Sequence, residues 1–214
     1  MLNFLTEKIS FPDTSLATED GLLAIGGDLS AERLLLAYNS GIFPWYEEGQ
    51  PILWWSPNPR MVLFPEKFKV SKSLKKTLRE NKFKITFNQD FSQVIKYCAN
   101  VPRGGQSGTW ITQEMKDAYI NLNTKGIAKS VEVWLNDKLV GGLYGIDLPK
   151  KRIFCGESMF SLVSDASKIA FYHLVQATMQ MDYKCIDCQL HNTHLESLDA
   201  EEIDRKTFLR LLSG

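Results

Sequence analysis

Net charge, long apolar runs and paired cysteines are all scarce in this 214-residue chain. Lys plus Arg number 25 and Asp plus Glu number 25, so formal net charge is zero. No global field steers the chain toward nucleic acid or an anionic membrane, and any nucleic-acid contact must come from a local patch. No apolar run approaches the roughly 20 residues that a membrane span needs. The opening residues, MLNFLTEKISFPD, lack the basic start and apolar stretch of a secretion signal, so a cytoplasmic location is expected. Cys98, Cys155, Cys185 and Cys188 lie inside apolar patterns, where free cysteines act as small buried hydrophobes. Cys185-x-x-Cys188 has no second CxxC or suitable His pair, and structural zinc wants four ligands. No metal is therefore expected. His191 and His194 have metal-like spacing but lack a third partner.

What is present is a chain able to build a core, with 44% hydrophobic and 11% aromatic residues. Six of the eight prolines fall in the first 65 residues, among loops rich in Gly and Trp. One helix stands out there, Ala31–Ser40, with Ser30 as N-cap and Gly41 as stop. This texture predicts a small, loop-rich N-terminal unit over 1–62 packed on a larger domain over 63–214. In the larger part, Met61–Phe64 reads as a strand, Ser73–Asn81 as a basic helix and Lys82–Asn88 as a half-buried strand. Asp90–Ala99 and Thr112–Lys125 read as helices. A hairpin follows, Ser130–Leu135 and Leu139–Ile146, turning at Asn136-Asp137. Strand Arg152–Glu157, an amphipathic helix from Ser164 to Met181 and strand Lys184–Leu190 make a β-α-β unit, whose two strands should lie parallel and adjoining. A last helix starts near Arg205. Helices, an antiparallel meander and then this crossover are the element order of the GNAT acyltransferase fold, an α+β class. That analogy leaves function open.

An acetyltransferase of that fold cradles pyrophosphate on a glycine-rich turn before the crossover helix. Here that segment is SMFSLVSDASK, with no glycine and with Asp165 in the first turn. Close approach of a phosphate to free N–H groups is disfavoured, so another acyl donor is expected. The polar groups nearby are Glu157, Asp187 and Gln189. Asp187 and Gln189 are two apart on one strand, share a face and lie about 7 Å apart. They fit either a proton-relay pair or a local satisfaction of backbone groups. Glu157, after Gly156, fits either a cap or a site carboxylate. Trp45, Trp54, Trp55 and Trp110 sit in loop-like segments, as interface plugs or as a stacking platform for bases. Lys72, Lys75, Lys76 and Arg79 lie at helical spacing, as a solvated face or a nucleic-acid contact. Gly104-Gly105-Gln106 matches the tripeptide of peptide release factors and nothing more of them; it is read as a loop.

Several strings then combine. GLLAIGGDLS, GIFPWY, ILWWSPNPR, GTWIT, VEVW, LVGGLYG, FCGESMFS, DASK and IDCQ occur in the order seen in leucyl/phenylalanyl-tRNA–protein transferases. The chain resembles that family from about Phe11 to Leu212. The resemblance implies a GNAT-like C-terminal domain with a small N-terminal domain, no cofactor, aminoacyl-tRNA carrying Leu, Phe or less readily Met as donor, and proteins with N-terminal Arg or Lys as acceptors, which the transfer marks for N-degron degradation. It further implies a monomer acting without metal or membrane.

Carried over by motif, Asp187 and Gln189 look like the pair orienting the attacking amine, with Glu157 the pocket carboxylate. Leu143, Phe154, Phe171, Leu174, Thr178 and Ile186 fall where the family lines its amino-acid pocket. Trp45 and Trp110 resemble the residues gripping the terminal adenosine, and Lys72, Lys75, Lys76 and Arg79 the basic cluster for the tRNA backbone. Three departures stand out. Glu80 occupies an expected basic position, Leu174 and Thr178 are small for the pocket, and the chain ends soon after the last helix. Strict alternation also puts Ile186 and Asp187 on opposite faces, so a bulge or a pocket wrapped around the strand end is required. The alternatives are another tRNA-dependent aminoacyl ligase of GNAT type and a non-catalytic tRNA- or N-degron-binding module.

Overall fold

Residues 3–101 and 110–214 are described by a computed structural model. Gly104-Gly105-Gln106 lies outside the described residues. The N-terminal segment holds β1 (Asn3–Leu5), β2 (Leu22–Gly26), α1 (Ala31–Asn39), β3 (Phe43–Pro44) and β4 (Leu53–Trp55). Its strands form a sheet in the order β1-β2-β4-β3, where the sequence had pointed only to loops. Strands of two to five residues among Pro and Gly carry too little alternation to be recognised. The Ser30 hydroxyl accepts the Arg33 N–H as N-cap of α1, and Gly41 takes the left-handed conformation, φ 73°, just past its end. Trp54 plugs the unit: it is fully buried, meets Phe11 edge to face and donates Nε1–H to the Gly26 carbonyl at 2.8 Å.

The rest comprises β5 (Arg60–Leu63), α2 (Lys72–Glu80), β6 (Lys84–Phe87), α3 (Phe91–Asn100), α4 (Gln113–Thr124), β7 (Ala128–Leu135), β8 (Lys138–Leu148), β9 (Ile153–Ser161), α5 (Ala166–Gln180), β10 (Cys185–Gln189), α6 (Thr193–Glu196), β11 (Glu201–Ile203) and α7 (Arg205–Ser213). Seven strands make one sheet, β11-β5-β10-β9-β8-β7-β6. The fold is mixed α/β. The β7–β8 hairpin turns on Asn136 and Asp137, both at positive φ, which matches the twist of the two strands. The expected division at 62/63 falls inside β5, which pairs with β10 and β11 in the large sheet. One apolar core runs from Leu34 and Trp54 of the N-terminal segment to Met115 and Ile146 of the larger one, and a second lies under α5 on the other sheet face.

Two features of the sheet create a cleft. β9 and β10 run parallel, but their pairing stops at Asp187 opposite Cys155. β9 then continues to Ser161 against β8 alone, four residues beyond the end expected from sequence. The β8–β9 register slips between Tyr144 and Gly145, leaving Glu157 as the extra residue between the Gly145–Gly156 and Tyr144–Ser158 pairs. Gly145 is required there, since a Cβ would lie 2.2 Å from the Cys155 carbonyl oxygen. On the other side, β10 slips against β5 between Asp187 and Gln189. This bulge is the feature that places Ile186 and Gln189 around one strand end.

Candidate active site

The gap between the diverging strands opens into a cavity of about 440 Å³. Leu143, Phe171, Leu174 and Ile186, all of one apolar cluster, line it together with the hydrogen-bonded pair Glu157 and Gln189 and with Trp45 and Trp110. Eight of the sequence-derived candidates therefore meet at one cavity. Asp187, Phe154 and Thr178 are not among its lining residues. Phe154 and Thr178 are buried behind it, and the Thr178 hydroxyl is used within α5, donating to the Val175 carbonyl at 2.8 Å. The small size of Thr178 therefore leaves the cavity wall unchanged, whereas Leu174 bears on it directly.

Asp187 is 1% exposed. Arg60, equally buried, donates Nε–H to Oδ1 at 2.8 Å and Nη2–H to Oδ2 at 2.7 Å, the bidentate geometry in which a guanidinium holds a carboxylate most firmly. Oδ1 also accepts the backbone N–H of Gln189 at 3.1 Å. Asp187 thus contacts Gln189 through the main chain, and its own side chain does not line the cavity.

Gln189, at φ 60°, donates Nε2–H to Glu157 Oε1 at 3.2 Å. The other Glu157 oxygen accepts the Tyr119 hydroxyl at 3.0 Å, and Tyr119 is hydrogen-bonded in turn to Tyr38 of α1. Burial pushes the Glu157 carboxyl up to about 7; the Tyr38 and Tyr119 hydroxyls oppose this, nearby Asp187 adds to it and Arg60 opposes it. Burial, together with the Glu157 charge, raises both phenols well above their ordinary value, so they remain donors near neutrality. The resulting polar wall holds a carboxyl group poised between its two protonation states near pH 7, a value suited to exchanging a proton with a reactant.

Trp45 is 40% exposed and its ring lies 5.7 Å from that of Trp55, edge to face. Trp55 donates Nε1–H to the Trp45 carbonyl at 2.7 Å, which fixes the segment while leaving the Trp45 ring open. Lys72, Lys75, Lys76 and Arg79 are exposed on α2 and do not line the cavity. Thr77 of the same helix donates to Asp165 at 3.3 Å, at the N-terminal cap of α5. Lys168, one turn along, bonds the same carboxylate at 3.2 Å, and its charge, after burial, helps lower the His194 imidazole pKa. The basic helix is thereby attached to the α5 side of the cavity.

Sequence reasoning missed Arg60, Tyr38 and Tyr119. A lone arginine entering the apolar run Met61-Val62-Leu63 was the available signal for the first. The tyrosines gave none, since each sits at an inward helical position like any core residue. His191, Asn192 and His194 also line the cavity. Among the described residues no cluster of three or more His, Cys, Asp or Glu is placed to hold a metal ion, and no helix is long and apolar enough to cross a membrane.

Comparison with known proteins gives a consistent result. Residues 62–213 match the family model for leucyl/phenylalanyl-tRNA protein transferase, and residues 27–58 match the model for its N-terminal domain. Among relatives bearing the name leucyl/phenylalanyl-tRNA–protein transferase, that of Christiangramia forsetii is 58% identical over 98% of this chain and 99% of its own. That of Flavobacterium johnsoniae is 56% identical over 99% of each, and that of Thermodesulfovibrio yellowstonii 54% identical over 97% of this chain and 84% of its own. Among solved structures, L-PGS from Bacillus licheniformis aligns with a TM-score of 0.45 at 11% identity, covering 79% of this chain and 54% of that one. An aminoglycoside acetyltransferase from a soil metagenome aligns at 0.41 and 15%, covering 56% and 85%. Likeness at that level assigns neither fold nor chemistry.

Proposed function

The chain belongs to the leucyl/phenylalanyl-tRNA–protein transferase family and is an aminoacyltransferase, and from that membership we propose that it moves Leu or Phe, and Met less readily, from aminoacyl-tRNA to the α-amino group of proteins beginning with Arg or Lys. The observation that carries this reading is one cavity lined at once by an apolar cluster, the Glu157–Gln189 pair and two tryptophans. An apolar side chain fits against Leu143, Phe171, Leu174 and Ile186. The terminal adenosine stacks on Trp45 and Trp110, and the helix bearing Lys72, Lys75, Lys76 and Arg79 takes the tRNA backbone. The antiparallel run β6-β7-β8-β9 followed by the parallel β9–α5–β10 crossover supports a GNAT-like larger domain, backed by a small N-terminal domain. The enzyme acts as a cytoplasmic monomer and marks its products for degradation.

The ester of aminoacyl-tRNA is already activated, so amide formation consumes no nucleotide. The acceptor nitrogen attacks the carbonyl carbon, the new C–N bond replaces the ester bond to the terminal ribose, and the amine's proton finally resides on the released ribose oxygen. Positioning supplies much of the rate of such a step. With its Nε2 turned to Glu157, Gln189 presents its carbonyl oxygen to an N–H of the amine. Glu157, when ionised, is the base that accepts the proton shed by the ammonium group before attack. Asp187 serves by holding the Gln189 main chain, since Arg60 and Gln189 take its oxygens.

The test is direct. Radiolabelled Leu-, Phe- and Met-tRNA are each offered with peptides beginning Arg, Lys, Asp or Glu. Transfer of Leu and Phe to the Arg and Lys peptides is expected. Transfer confined to Asp and Glu peptides, or tRNA binding with no transfer, overturns the proposal.

A further inference from the structure

We propose that Arg60 is a positioning residue for aminoacyl transfer: it sets the turn that aims the Gln189 side chain, and it ties that turn to the Gly41–Trp45 segment of the N-terminal unit. This rests on the reading of Gln189 as the group that aligns the amine. Every direction around the guanidinium is occupied. Nε and Nη2 donate to Asp187 at 2.8 and 2.7 Å, and Nη1 donates to the Gly41 carbonyl at 3.1 Å. The Phe43 and Phe208 rings lie 4.9 and 4.6 Å from its central carbon. Burying such a charge is costly, and a hydrophobic pair of similar volume often serves stability as well or better. Stability alone therefore leaves the pair without a reason.

A reason lies at the far end of the pair. Asp187 Oδ1, gripped by Arg60, also accepts the Gln189 N–H at 3.1 Å. Gln189 there adopts φ 60°, a conformation that residues with side chains avoid, at the point where β10 slips against β5. The turn directs its amide to Glu157 at 3.2 Å. At the near end, Gly41 and Phe43 lead directly into Pro44 and Trp45, which line the cavity. One side chain thus spans from the segment carrying Trp45 to the group that aligns the amine. A lysine offers a point charge in place of this planar fork and cannot keep all three bonds.

The experiment is a double-mutant cycle on the transfer rate constant under single-turnover conditions, with saturating aminoacyl-tRNA and whichever donor and acceptor the wild type accepts. Failure of the substrate reading is then visible in the wild-type arm alone, without obscuring the Arg60 comparison. Arg60→Lys is expected to lower the rate constant by about 10–100-fold, the loss typical of a misplaced reacting group. In a Gln189→Ala background the same change should cost less than about twofold, because the group through which Arg60 acts is gone. If the two losses multiply, Arg60 is a core ion pair and the proposal falls. The neutral pair Arg60→Gln with Asp187→Asn, which leaves no unpaired buried charge, gives a second cycle against Gln189→Ala should Arg60→Lys not fold. Its losses should be non-multiplicative in the same way, and multiplication there overturns the proposal equally.

Discussion

The two walls of the cavity are built by opposite means. On the apolar wall, Leu143, Phe171, Leu174 and Ile186 come from β8, α5 and β10 and belong to the core under α5. Each is held by close packing with near neighbours, so a change there reshapes space. On the polar wall, Glu157 is the extra residue of one bulge and Gln189 directly follows another, and each is held by a chain of hydrogen bonds reaching α1 or the residues just after it. One chain runs through Tyr119 to Tyr38, and the other through Asp187 and Arg60 to Gly41. Packing can shape a specificity pocket locally, whereas aiming two polar groups at a reacting centre takes support from distant parts of the chain. The N-terminal unit, remote in sequence, supplies the far end of both hydrogen-bond chains.

Substitutions on the two walls should differ in kind as well as in size. The largest effect is expected on the polar wall: Glu157→Gln should lower the transfer rate by about 10²–10⁴-fold, the usual weight of a positioned proton-handling group. In the wild type the rate should rise with pH through about 7 as Glu157 ionises, and this limb should vanish in the variant. An unchanged limb would assign it to another group. On the apolar wall, Leu174→Ala should leave the chemistry intact and shift the Leu:Phe ratio of kcat/KM by about 10-fold or more, since removing methylenes from such a pocket is worth about 1–3 kcal/mol. A uniform fall for both donors would erase the distinction between the walls. Trp45→Ala should raise the Kd for aminoacyl-tRNA by the worth of a stacked base, about 1–3 kcal/mol, as read by filter binding. Lys76→Ala with Arg79→Ala should weaken tRNA binding and flatten the slope of log K against log salt by about 1–2; an unaltered slope leaves α2 a solvated face.

The smallest effect is on stability. Glu157 binds its proton more tightly when folded, at about 7 against an ordinary 4.5, so the folded state carries the extra proton between those values. Its contribution is complete below pH 4.5 and is lost as pH rises through 7. Tm measured at pH 5 and pH 8 should therefore fall further in the wild type than in Glu157→Gln.

The same contrast governs how much was legible in the sequence. Helices with local signals were readable, because the Ser30, Asp90 and Thr112 side chains do accept N–H groups of the turns they precede. So were the Asn136-Asp137 hairpin and the parallel β9–β10 pair. The family strings alone named the residues of the apolar wall, and with them Phe154 and Thr178, which are buried and do not line the cavity. The polar wall was legible only as residue types. That Asp187 faces Arg60, 127 positions away, and that Glu157 leans on Tyr119 depend on which strands become neighbours. The N-terminal sheet stayed hidden because its strands are too short to show a period.

Held by its turn, Gln189 is expected to align the amine and to contribute little to binding the donor. Gln189→Ala tests this role most directly, with the single-turnover rate constant for Leu-tRNA and the Kd for Leu-tRNA measured on the same preparation. The rate should be at least about 100-fold lower, with Kd changed by less than about twofold. A rate constant near that of the wild type, or a loss carried wholly by Kd, would contradict that role.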